Sequence, residues 1–173
     1  MAYWCQAGLG ALNLDGEEAI SLLTRLVEGG FGRRLRHVGK SDVLEVARGE
    51  GGVVRARWLP AAEARPILAA FTSGISIAYE DVLALDGFPS VLVPNWDEED
   101  VEIDRGAGES AWLVGGIGPL REVVLEEIQD AELLADEDPA EAEVAAARVA
   151  SFRELLSLFD RAEAHGVVLS AAG

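Results

Sequence analysis

Few side chains in this sequence have the chemistry of a nucleophile or a base. Cys5 is the only cysteine, and His37 and His165 are the only histidines. A thiol or hydroxyl nucleophile needs a base within reach, and that base needs a third group to orient it. No motif supplies that context here. His37 sits among arginines, and His165 falls at the end of an expected helix, where the dipole favours a cation. Ser110 lies in Gly108-Glu109-Ser110-Ala111-Trp112, which departs from the G-x-S-x-G elbow at its last position. One cysteine and two separated histidines are a poor zinc set. The sequence therefore yields no catalytic residue, no metal ligand set and no cofactor site.

Carboxylates are the one abundant functional group. Six acids fall in the eight residues 97–104: Asp97, Glu98, Glu99, Asp100, Glu102 and Asp104. Calcium and magnesium take oxygen ligands of this kind. The EF-hand frame is absent, however, since no glycine stands at its sixth position. The run reads as a solvated loop or as a docking surface for a basic partner. A glycosidase-like pair of carboxylates has no locatable position, because acids are everywhere. Gly115-Gly116-Ile117-Gly118 has the outline of a phosphate-cradling strand-to-helix turn. It matches neither G-x-G-x-x-G nor G-x-x-x-x-G-K-[ST], and it opens onto a very acidic helix, so it reads as a structural turn.

Four tryptophans stand at 4, 58, 96 and 112. Trp58 and Trp112 fall in strand-like stretches and are expected in the core. Trp96 borders the acidic run. An indole beside carboxylates suits recognition of Arg or Lys by cation–π contact and ion pairing. The alternative is that Trp96 caps the core.

The elements that would position these groups follow from periodicity. Residues 118–165 read as two acidic helices folded back on each other. The first is opened by Pro119, suited to the first turn because its missing donor would be unpaired there. Leu120, Val124, Ile128 and Ala131 lie on one face. The remaining positions include Glu126, Glu127 and Asp130. The second helix opens at Asp138-Pro139-Ala140-Glu141, close to a capping box. Its apolar stripe is Val149, Phe152, Leu156 and Phe159, and Gly166 stops it. Asp15 is the expected N-cap of an earlier helix with the stripe Ile20, Leu23, Leu26 and Val27. Residues 42–48 and 53–59 are expected to form a hairpin of alternating strands about a glycine turn. A short helix is expected over 60–71, begun or broken at Pro66, and a strand over 75–79. A second hairpin is expected between 82–85 and 90–93 about Asp86-Gly87. Val101 and Ile103 alternate with acids, Gly106 to Gly108 turn, and 111–114 form a last strand before the helices. A small terminal strand is expected within 165–170.

The whole, residues 1–173, is expected to be a single α+β domain. Its mainly antiparallel sheet, of roughly five to six strands, is covered by the C-terminal helical hairpin and an N-terminal helix. Half of the residues are hydrophobic, which excludes general disorder. Formal charge is uneven: residues 1–57 carry +1 and residues 58–173 carry −18, together −17. Such a surface repels nucleic-acid phosphates and anionic lipid and attracts basic partners, unless the acidity serves only solubility. The first fourteen residues lack the basic region of a signal peptide, and no apolar run approaches the about 20 residues that span a bilayer. A cytoplasmic location is the expectation, consistent with a lone cysteine.

The profile of a small, acidic, α+β, motif-poor chain resembles that of bacterial immunity proteins, which neutralise a toxin by direct binding. The resemblance is one of type, with no residue-level match. It implies a non-catalytic binding protein for a basic protein partner. The contact would use Trp96, the six acids of 97–104, and Glu126, Glu127 and Asp130. A small enzyme with a carboxylate cleft, and a structural or oligomerising module, are the alternatives.

Overall fold

The computed structural model describes residues 2–14, 16–105 and 109–173. Six strands make a central sheet: β1 (Ala2–Ala7), β5 (Ile75–Ala78), β6 (Val91–Val93), β7 (Val101–Ile103), β8 (Trp112–Gly116) and β9 (Leu169–Ala172), in the order β5-β1-β9-β6-β8-β7. Only β6 and β8 run parallel; the other neighbours are antiparallel. A second, antiparallel sheet contains β2 (Arg34–Val38), β3 (Val43–Arg48) and β4 (Val54–Trp58). The two sheets meet where Arg36 exchanges backbone hydrogen bonds with Gly166 and Val168, at 2.9 and 3.0 Å.

Successive side chains of a strand point to opposite faces, and this alternation divides the central sheet between two cores. Leu92, Leu169 and Ala171 join the core formed with helices α4 (Ile117–Glu137) and α5 (Ala142–His165). Val91, Val93, Val114 and Val168 join a core with α1 (Gly16–Glu28), Leu35, Leu44 and Val46. The expected α+β architecture is thus present, with a helical hairpin and an N-terminal helix over a mainly antiparallel sheet.

The hairpin follows its sequence signals closely. Leu120, Val124, Ile128 and Ala131 are buried along α4. On α5, Val149, Phe152 and Phe159 are buried, but Leu156 is half-buried while Leu155 and Leu158 are enclosed. The stripe is therefore broader than the spacing alone picked out. Asp138 accepts a hydrogen bond from the Ala140 N–H at 3.1 Å, capping a single 3-10 turn before α5 begins. Gly166, at φ 65°, ends α5 in the left-handed region that glycine tolerates. In α1, Ala19, Leu22, Leu23, Leu26 and Val27 are buried and Ile20 is half-buried. The expected N-cap Asp15, and the turn at Gly106 to Gly108, lie outside the described residues.

Four expectations are corrected. Residues 82–85 are not a hairpin strand: Tyr79–Ala84 is a helix, α3, with Glu80 and Asp81 in its first turn. Asp86 and Gly87, at φ 58° and 111°, turn the chain, but β6 then pairs with β8 and β9. A six-residue helix is too short for its period to show against strand alternation. Trp58 is not core; it is 46 % exposed on β4, an edge strand of the small sheet. Third, β8 continues through Gly115 and Gly116 instead of ending at Val114. Helix α2 (Ala61–Ala70) runs through Pro66 unbroken. Among the described residues, no helix is long and apolar enough to cross a membrane.

Candidate functional site

The acidic run joins β6 to β7 and folds over the junction of β8 and α4. Asn95, at φ 57°, anchors its start: its N–H donates to a Glu163 carboxylate oxygen at 3.1 Å and its Nδ2 to the Glu163 carbonyl at 3.2 Å. Trp96 is half-buried on the second core, its ring 4.5 Å from Phe31 and tilted by 42°. The Trp96 carbonyl lies against Gly116, the Asp97 carboxylate against Gly118, and an Asp100 carboxylate oxygen with Pro89 against Gly115. A β-carbon at any of these glycines would collide with the loop. At Gly116 glycine is thus needed for close approach of one backbone segment to another, while at Gly115 and Gly118 it leaves room for the Asp100 and Asp97 carboxylates.

This seating also places Asp97 beside the start of α4, whose own first turn holds no acid. A carboxylate there complements the positive end of the helix dipole. Desolvation raises the Asp100 carboxyl above its ordinary range. Glu98, Glu99 and Glu102 point outward, exposed and without an ion pair among the described residues. The Asp104 carbonyl accepts from Arg25 at 2.7 Å.

Glu126 and Asp130 are exposed on α4. With a rise of about 1.5 Å per residue, they stand about 12 and 18 Å along the axis from Gly118. Side chains three and four apart share a helix face. The face that meets Asp97 at Gly118 therefore continues through Glu122, Leu125 and Glu126, all exposed. Glu127 is half-buried on the flank, where it lines a groove of about 180 Å³ with Asp130, Leu134, Glu141, Val144 and Arg148. The structure thus joins the acidic loop to the face of α4 that carries Glu122 and Glu126, and sets Glu127 and Asp130 at the groove to one side.

The nearby cations are already engaged. Arg121 bonds Asp160 at 2.7 Å and also Glu163; Arg148 bonds Asp81 at 2.7 Å; Arg153 meets Glu132 at 3.5 Å. Arg161 donates to the Ala70 carbonyl at 2.7 Å and stands over the Phe71 ring. Arg34, Arg36 and Arg57 of the first half are engaged as well. Glu45, 7 % exposed, receives Arg36 at 2.9 Å and Arg57 at 3.2 Å, with Arg34 at 4.0 Å. A buried carboxylate needs such pairing, and strand alternation gave no sign that Glu45 points inward.

Cys5 is fully buried, which pushes its thiol up to about 12 and keeps it protonated. His165 meets Phe71 edge-on at 5.9 Å. Trp112 is half-buried, with the Arg105 guanidinium 4.8 Å from its ring centre. Among the described residues, no group of three or more His, Cys, Asp or Glu could hold a metal ion. Compared with known proteins, the chain matches no family model, no curated protein and no solved structure significantly.

Proposed function

We propose that this is a non-catalytic acidic binding protein of the cytoplasm that docks a basic protein, in its sharpest form an immunity-type inhibitor of a bacterial toxin. One observation carries the reading. Every arginine of α4 and α5 is engaged by a neighbouring group, so the exposed carboxylates of 98–102 and of the outer α4 face are left uncompensated. A field of one sign over a continuous surface steers a cationic partner and speeds its association. Exposed Leu125 and Leu133, 42 % and 58 % accessible, supply apolar contact along the same helix. Affinity comes from such desolvated anchors, while the charges set rate and register. Against a nuclease toxin, this face would occupy the place of the phosphate substrate.

The test is kinetic. A partner is captured from the source cell, and its association is measured at low and high salt with the parent and with Glu98, Glu99, Glu102 and Glu126 reversed to Lys. The expected result is a slower on-rate and a flatter salt dependence. An unchanged on-rate with an unchanged salt slope would leave the acidity as a solubility device.

A further inference from the structure

A cleft of about 470 Å³ opens between the ends of β1 and β2 and the 71–74 loop. We propose that it binds a small oxyanion, a phosphate or carboxylate group, held by His37 and Lys40. Most of its lining comes from the near-neutral residues 1–57, and none from the acidic loop. Acids outnumber bases 31 to 14 in the sequence, yet among the described residues no carboxylate lines this cleft. Lys40, the one lysine, does, together with Gln6 and the hydroxyl residues Thr72 and Ser73.

His37 is the decisive group. Its side chain lines the cleft although the residue is only 8 % exposed. Nδ1 accepts a hydrogen bond from the Leu9 N–H at 2.8 Å, so in the neutral ring the proton sits on Nε2. That Nε2–H has no partner among the described residues, and it is not sealed from the cleft. Gly8 fixes the arrangement. It holds φ +78°, and a β-carbon there would strike the Val38 carbonyl and come within 2.8 Å of Nδ1. Only glycine lets the 8–9 backbone close on the imidazole in this way. The Nε2–H is open to the cleft, where it can donate to a ligand. An oxyanion supplies the acceptor, and the Lys40 ammonium supplies the opposite charge. Asp42 is near enough to act on His37 but does not line the cleft. The ring of Phe71 forms an apolar wall for the body of the ligand.

The experiment titrates inorganic phosphate, and separately acetate, into ¹⁵N-labelled protein at ionic strength held constant with sodium chloride. The His37 ring nitrogens and the Leu9 amide are followed by NMR. A saturable shift is expected with at least one anion, with Kd of about 1 mM or tighter; which anion saturates tells phosphate from carboxylate. His37→Asn keeps an acceptor for the Leu9 N–H, but its shorter amide places no donor at the Nε2 position that faces the cleft. Lys40→Met removes the charge at an exposed position and reads the site independently should the His37 variant fold poorly. Each should weaken binding about tenfold, as loss of a charged hydrogen bond does. No saturable shift with either anion, or a shift unchanged by Lys40→Met, would overturn the proposal. Neither residue belongs to the acidic docking face, so the two proposals stand or fall separately.

Discussion

The carbonyl oxygen of Trp96 fills the space in which Gly116 would carry a β-carbon. With Asp97 at Gly118 and Asp100 at Gly115, this makes the glycine row a seat for the acidic loop. Gly116→Ala must therefore displace backbone, which costs typically about 1–3 kcal/mol for overpacking. Gly49→Ala is the control: its β-carbon would meet only the Val53 carbonyl, at 3.7 Å, and a change below about 0.5 kcal/mol is expected. Urea melts of the two variants compare them directly. Equal melts would mean that the loop yields freely.

Phe152 is fully buried where α5 packs on the first core. Phe152→Ala should lose about 3–5 kcal/mol. Leu155→Ala should cost more than Leu156→Ala, because Leu155 is enclosed and Leu156 is half-buried. Equal losses at 155 and 156 would contradict the packing described.

Cys5 should be inert in the folded protein. With its thiol pushed up to about 12, almost no thiolate exists at pH 8. A thiol reagent such as DTNB is expected to label it only after denaturant is added. Rapid stoichiometric labelling of the native chain would place the residue at the surface.

His37 should make the fold sensitive to mild acid. Burial lowers its pKa below the ordinary 6.5, against a smaller opposing pull from Asp42, with the Lys40 ammonium also at the cleft. In the unfolded chain the ring binds its proton near 6.5, while the folded chain resists it until lower pH. The contribution is therefore fully present above 6.5 and is lost as pH falls from there toward the folded value. His37→Asn should remove this limb from a plot of stability against pH. A limb of unchanged slope in the variant would assign it to other groups.

The long helices were legible because α4 and α5, of 21 and 24 residues, repeat their apolar period many times between clear start and stop residues. The β3–β4 pair was legible from alternation across a glycine turn. Alternation did not reveal which small sheet would be left uncovered, so Trp58 was misplaced. Nor did it reveal the parallel β6–β8 pairing, which depends on chain segments distant in sequence. At the candidate site, composition marked out the acidic run. The approach of the Trp96 carbonyl and of the Asp97 and Asp100 carboxylates to three glycines is a contact between segments apart in sequence, for which no local pattern exists. His37 looked like one more cation of a basic cluster because its burial depends on Gly8 and Leu9, about thirty residues earlier.

The place of β9 between β1 and β6 has a consequence for biosynthesis. Trp4 pairs with Ala172, and Leu92 with Leu169, so the strand that joins the two halves of the central sheet is made after both of them. On the ribosome, β1 and β6 can emerge with no strand between them, each with an unpaired edge. Pairings this distant in sequence are slow to form, and an open edge invites association with other chains. The nascent chain is thus open to aggregation until residues 169–172 have emerged, and the closing strand acts as the catch that ends that interval.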